Sequence, residues 1–216
     1  HPPEPSAVGT TDTPAPGPGP LPAPGDFARA LAAAKGQNVL VGVTGGIAAY
    51  KTAHVVSRLA QAGANVRVAM TPSAARFVTP LTFQALSGHP VYTSAWDHHE
   101  ASDPQHISLA TSCHLAIVAP CTMDCLARLA GGFTDDVVTL ILSAIDRART
   151  PVLLCPAMNT VMWSQPSTQR NLATLRADRF EFLGPDEGWQ ACRAVGPGRM
   201  SEPDAILARA AALLAR

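Results

Sequence analysis

Three short loops in this chain carry residue types suited to holding a phosphate. Val43-Thr44-Gly45-Gly46-Ile47-Ala48-Ala49-Tyr50-Lys51 runs from an apolar stretch through paired glycines into helical spacing. That pattern lets backbone N–H groups approach an anion at the positive end of a helix. It is neither the spaced three-glycine dinucleotide fingerprint nor a Walker sequence, and taken alone a plain β-to-α turn explains it equally well. Thr71-Pro72-Ser73 puts two hydroxyls beside a helix start, where capping is the plain alternative. Ala119-Pro120-Cys121-Thr122-Met123-Asp124 again follows an apolar run and opens a helix. Three such loops on one sheet edge suit a mononucleotide phosphate better than any one of them does.

Two further loops and one histidine carry reactive side chains. In Pro156-Ala157-Met158-Asn159-Thr160-Val161-Met162-Trp163, a leading proline predicts a rigid loop that holds the Asn159 amide over the sheet edge. Met162 and Trp163 read as core filling. In the run from Ala191 to Pro203, Gly196-Pro197-Gly198 predicts a loop rather than an element, which leaves Cys192 at its base mobile and accessible. His106 lies in Gln105-His106-Ile107-Ser108-Leu109, on a polar approach to a strand; a lone histidine is more often structural, and His98, His99 and His114 show that the chain has others. Cys121 and Cys125 are four apart, but no matching pair follows at zinc spacing, so no metal site is expected and most of the cysteines read as buried, reduced thiols.

Those loops need strands and helices to position them. Apolar runs predict strands at Asn38–Val43, Asn65–Met70, Leu115–Ala119, Val152–Cys155 and Phe180–Leu183. Helical spacing marks Ile47–Ala62 (closed by Gly63), Ser73–Val78, Pro80–Ser87, Met123–Ala130, Asp135–Ala148, Ser167–Ala177 and Glu202–Leu214. Strand–helix alternation implies a single α/β domain, Rossmann-like (flavodoxin-like), with a parallel sheet covered on both faces. In such sheets ligands bind beyond the carboxyl ends of the strands, which is where the unusual loops fall.

The domain is expected to occupy 36–216. Residues 1–35 read as a disordered tail with a short Ala/Leu helical lead-in from Asp26 to Lys35, because nine of the 20 prolines crowd into the first 25 residues with no apolar face to bury. Sixteen basic residues balance sixteen acidic ones without a basic stripe, so a nucleic-acid partner is not expected. No apolar run nears the roughly 20 residues that span a bilayer, and no basic segment leads an apolar one at the start. A cytoplasmic protein without a membrane partner is the expectation.

In this order and spacing, TGGIAAYK, HISLA, PAMNTVMW and the Cys192 loop ending GPGRMSEP resemble the homo-oligomeric flavin-containing cysteine decarboxylases over about residues 36–214. Within that family the similarity is to the branch acting on phosphopantothenoylcysteine in coenzyme A synthesis. The resemblance implies flavin mononucleotide (FMN), with its phosphate at Gly45, Gly46 and Ile47 and further contacts at Thr71 and Ser73. It also implies flavin contacts at Thr122, Met123, Asp124 and Cys125, where Met-Asp replaces the usual Ala-Asn. Asp124 can accept a hydrogen bond there but cannot donate one as an amide does. Ala157 would touch flavin, Asn159 would grip the substrate carboxylate, and Trp189, Gln190 and Ala191 would supply substrate-binding backbone. Arg193 replaces the glycine that usually follows the cysteine. A homotrimer or dodecamer with flavin at a subunit interface is implied, and a separate ligase for the preceding step, since bacterial relatives often carry that ligase as a second domain.

The implied chemistry is the loss of carbon dioxide from a cysteine, with a small-molecule substrate taken to 4′-phosphopantetheine. A cysteine carboxylate has no sink for the carbanion left behind, and oxidising the thiol to a thioaldehyde creates one. Flavin takes the two electrons, since side chains cannot. His106 is the candidate for proton transfer around thiol and carboxylate, and Cys192 the candidate acid for the later reduction. A peptidyl-cysteine decarboxylase of the lantibiotic type and a non-catalytic flavin-binding regulatory subunit are the alternatives. His106, Asn159 and Cys192 together favour the active enzyme.

Overall fold

The computed structural model describes residues 31–96, 105–189, 191, 193 and 195–216. The Pro-rich tail therefore lies outside the described residues, and the lead-in is seen as one 3-10 turn, Leu31–Ala34. Six strands form one parallel sheet: β1 (Asn38–Val43), β2 (Asn65–Met70), β3 (Val91–Tyr92), β4 (Leu115–Cys121), β5 (Val152–Pro156) and β6 (Glu181–Phe182). Their order is β3-β2-β1-β4-β5-β6, so the winding reverses between β1 and β4. This is the expected Rossmann-like, doubly wound architecture.

Side chains alternate across the sheet with the period of two that a pleated strand imposes. Val39, Val41, Val43, Leu115, Ile117, Leu153 and Cys155 enter one buried cluster. Leu40, Ala116, Val118, Val152 and Leu154 enter the other. The first face is covered by α1 (Ala49–Gln61), α2 (Pro80–Ser87) and α8 (Pro203–Leu214). The second is covered by α3 (Gln105–Ser112), α4 (Met123–Gly131), α5 (Val137–Ala144) and α7 (Pro166–Ala177), while the short α6 (Thr160–Ser164) precedes α7. Each large side chain buried this way contributes roughly 1.5–3 kcal/mol. No helix among the described residues is long and apolar enough to cross a membrane.

Three departures from the sequence reading have physical causes. The helix expected at Asp135–Ala148 is shorter: the Asp136 carboxylate caps its start by accepting from the Val138 and Thr139 N–H groups, and Ile145 is already extended. The Gly-Pro-Gly stretch is not a loop. It is β8 (Val195–Arg199), paired antiparallel with β7 (Asp186–Trp189) in a separate ribbon. A two-stranded ribbon has an unpaired edge on each strand, so a proline without an N–H is tolerated there. The strand β3 has only two residues, too few for any periodicity.

The end of α7 shows how this fold closes a helix without glycine. Arg179 has φ of 66°, and the N–H groups of Arg179 and Phe180 donate to the carbonyls of Arg176 and Leu175. Phe180 and Leu175 share the same buried cluster, which completes a Schellman closure. A left-handed arginine costs about 1–2 kcal/mol, partly offset by glycine's greater loss of chain entropy. Arg179→Gly is therefore expected to raise stability by roughly 0.5–1 kcal/mol, read as a higher urea midpoint at unchanged slope. A lower midpoint would show that the arginine side chain holds a contact worth more than its backbone cost.

Candidate functional site

At the carboxyl end of the sheet, where the winding reverses, a cleft of about 1120 Å³ opens among the loops that follow β1, β2, β4 and β5. The β7–β8 ribbon closes one side, through Trp189, Gly198 and Arg199.

The two central loops are stitched together. The buried Thr44 hydroxyl donates to the Pro120 carbonyl at 2.6 Å and accepts from the Thr122 N–H at 3.1 Å. One turn into α1, the Thr52 hydroxyl donates to the Ala119 carbonyl at 2.6 Å. The third loop presses against the first: a Cβ on Gly45 would lie 2.4 Å from the Ser73 Cβ, a separation no side chain permits. Glycine at 45 is thus dictated by loop-on-loop contact, while Gly46 would meet nothing closer than 3.5 Å.

Capping accounts for several of the hydroxyls and for the amide. Thr122 accepts from the Cys125 N–H at the start of α4, and Thr71 accepts from the Ala74 N–H. Asn159 caps α6, its Oδ1 accepting from the Val161 N–H at 2.8 Å. The rigid loop expected around Asn159 is therefore a helix start, and the asparagine sits where a cap is needed.

All ten residues expected at a cofactor line this one cleft, as do Asn159, Trp189 and Ala191. Met162, read from sequence as core, is 42% exposed and also lines it; Trp163 packs half-buried against the core as expected. His106 does not line the cleft: it lies half-buried on α3. Gln190 and Cys192 lie outside the described residues, although Ala191 between them borders the cleft. Arg193 has φ of 65°, a left-handed backbone suited to the glycine it replaces.

Two groups of paired charges stand at the cleft, and of their members the sequence reading singled out only Asp124. Lys51 and Arg199 share the carboxylate of Glu202, with the Lys51 contact at 2.9 Å. Burial and the neighbouring Arg199 pull the Lys51 ammonium below its ordinary pKa. Elsewhere on the lining, Arg128 bridges Asp124, at 2.8 Å, and Asp135, whose carboxyl it holds below the usual range. Both cations of the first group stand in quoted runs, TGGIAAYK and GPGRMSEP, but only folding brings those runs together.

Burial pushes the Cys121 and Cys155 thiols up, and the Cys113 thiol to about 11. They are inert packing groups, not nucleophiles. Among the described residues no group of three or more His, Cys, Asp or Glu is placed to hold a metal ion.

Comparison with known proteins bears on the same cleft-bearing unit. The chain is 48% identical over 171 residues to the coenzyme A biosynthesis bifunctional protein CoaBC of Bacillus subtilis (strain 168), covering 79% of this chain and 41% of that protein. The Escherichia coli (strain K12) protein of the same name is 45% identical over 177 residues, covering 82% and 43%. The chain thus spans about two-fifths of the length of the curated relatives it matches. Among solved structures, a cysteine-to-serine mutant of a PPC decarboxylase complexed with pantothenoylaminoethenethiol is 30% identical, with a TM-score of 0.73 over 82% of this chain and 97% of that one. The FMN-dependent cysteine decarboxylase SpaF is 28% identical, with a TM-score of 0.72 over 85% and 99%. Residues 28–215 match the Flavoprotein family, and on that match, which takes in the whole sheet and every loop of the cleft, the chain belongs to the Flavoprotein family.

Proposed function

We propose that this chain binds FMN in the cleft at the β1–β4 reversal and decarboxylates 4′-phosphopantothenoylcysteine to 4′-phosphopantetheine, a step of coenzyme A biosynthesis. The observation that carries this reading is the convergence of the loops after β1, β2, β4 and β5 on one cleft in a member of the Flavoprotein family. The named relatives support the substrate: CoaBC proteins serve coenzyme A biosynthesis, and a PPC decarboxylase shares the fold nearly end to end.

The residues present fit the cofactor. The glycine-only contact between Gly45 and Ser73 leaves backbone N–H groups bare of side chains, and Thr122 opens α4 beside them. In this reading the Gly45–Gly46 turn and the amino end of α4 hold the flavin phosphate, with Ala157 and Met123 against the rest. Held there, flavin would supply the two-electron acceptor and donor that thiol oxidation and enethiol reduction require.

The other steps fall to side chains. Asn159, its amide plane fixed by the cap on α6, binds the substrate carboxylate, and Trp189, Gln190 and Ala191 contribute backbone alongside. Once the thiol has become a thioaldehyde, carbon dioxide leaves and the electron pair delocalises onto sulfur as an enethiolate. Cys192 then delivers a proton to carbon as the enethiolate is reduced. His106 moves protons around the thiol and carboxylate, and because it lies away from its own chain's cleft, it does so in the cleft of a second copy. Exposed Ile47, Tyr50, Met162 and Trp189 on the cleft lining suit such a neighbour. A homo-oligomer follows from this reading.

Three outcomes are expected. The purified chain should be yellow or take up added FMN with the absorption of oxidised flavin; a protein that stays colourless after addition sinks the cofactor. His106→Asn should keep its flavin and lose roughly 10²–10⁴-fold in decarboxylation rate, and turnover at the unaltered rate would make His106 structural. Cys192→Ser should still release carbon dioxide, but its product should be two hydrogens lighter by mass spectrometry than the saturated thiol. Saturated product at the normal rate would assign the proton to another group.

A further inference from the structure

The first turn of α4 poses an electrostatic problem for an anion. Asp124 is the second residue of that helix and lines the cleft with Thr122 and Cys125. A carboxylate there stabilises the helix by complementing its positive end, but it occupies the potential that a bound phosphate would use. Unpaired, it would repel such a ligand by about 1–2 kcal/mol at close range in partly screened surroundings.

Arg128 stands one turn on and reaches back, its Nε donating to Asp124 Oδ2 at 2.8 Å. Its Nη1 donates to Asp135, beyond the end of α4, so the guanidinium is anchored from both sides. Asp136, the remaining carboxylate on this part of the lining, is engaged by the Val138 and Thr139 N–H groups and by the Thr139 hydroxyl at 2.8 Å.

We infer that Arg128 is a positioning residue for the cofactor: by offsetting part of the negative charge of Asp124, which shares the guanidinium with Asp135, it lets the amino end of α4 accept a phosphate. The inference rests on the FMN reading above. It assigns Arg128 an effect through Asp124 rather than a contact with the ligand, and this distinction is measurable.

The experiment is FMN titration of flavin-stripped protein, followed by flavin fluorescence, on the unaltered chain and on Arg128→Gln, Arg128→Lys, Asp124→Asn and the double variant Arg128→Gln/Asp124→Asn. Arg128→Gln is expected to weaken binding about tenfold, the size of one partly screened charge. The double variant should recover to within roughly threefold of the unaltered chain, because the charge that Arg128 offsets is gone. Arg128→Lys should stay within the same roughly threefold range, and Asp124→Asn alone should bind more tightly than the unaltered chain. A loss in Arg128→Gln that persists in the double variant would overturn the inference and make Arg128 a direct contact or a packing residue. Unchanged affinity in Arg128→Gln would overturn it as well. Should Arg128→Gln not fold, Arg128→Lys decides: affinity kept within roughly threefold, with the charge kept, upholds the inference, and a roughly tenfold loss overturns it. If the unaltered chain takes up no flavin, the cofactor reading falls and this inference with it, whereas normal uptake by the unaltered chain confines any failure to Arg128.

Discussion

Where a parallel sheet reverses its winding, two neighbouring strands send their chains to opposite faces, and the loops leaving them diverge. That divergence opens a crevice without any residue being spent on carving it. It also leaves the crevice walls on separate, independently mobile segments unless something joins them. In this chain the join is Thr44. Its buried hydroxyl donates to Pro120 near the end of β4 and accepts from Thr122 just beyond it, so the two walls are fixed to each other through a single side-chain oxygen. Thr52 adds a second tie from α1 to Ala119 of β4. The Gly45–Ser73 contact then brings the β2 loop against this joined pair. Geometry at the cleft thus depends on short-range packing and hydroxyl bonds rather than on the sheet alone.

The charge pattern on the lining is built on that frame. Lys51, Arg199 and Glu202 form one group and Asp124, Arg128 and Asp135 another, each with a shared partner. In the first, two cations divide one carboxylate and leave a net positive charge. In the second, two carboxylates divide one guanidinium and leave a net negative charge. The exposed pairs of the second group contribute little to folding. Their effect is on what the cleft accepts and in which orientation, a matter of specificity more than of stability.

Much of this was legible in the sequence because it rests on local rules. Apolar runs gave β1 and β2 with their observed bounds, and strand-to-glycine-to-helix punctuation located the loop after β1. The residues expected at the cofactor are brought together because strand-end loops of a parallel sheet have nowhere else to converge. What escaped the reading depends on partners distant in the chain. Val195–Arg199 becomes a strand only because Asp186–Trp189 pairs with it, overriding the turn preference of Gly-Pro-Gly. Asn159 looked purely functional because its capping bond to Val161 is invisible without knowing where α6 begins. His106 stood in a recognisable run, yet no spacing rule could say that α3 would carry it away from the cleft of its own chain.

The tie between Lys51 and Glu202 joins residues 151 positions apart. Glu202 is the N-cap residue of α8, which follows the β7–β8 ribbon, and α8 packs on α1 in the same buried cluster. During synthesis the chain emerges amino end first, so the glycine turn and Lys51 are exposed to solvent long before their counter-charge exists. Within this domain the positive wall of the cleft is therefore completed late, when α8 has been made and docks on α1. A nascent chain arrested before that point would carry most of the sheet and most of the cleft's loops, yet it would still hold Lys51 without its carboxylate and the β7–β8 ribbon without the helix that follows it.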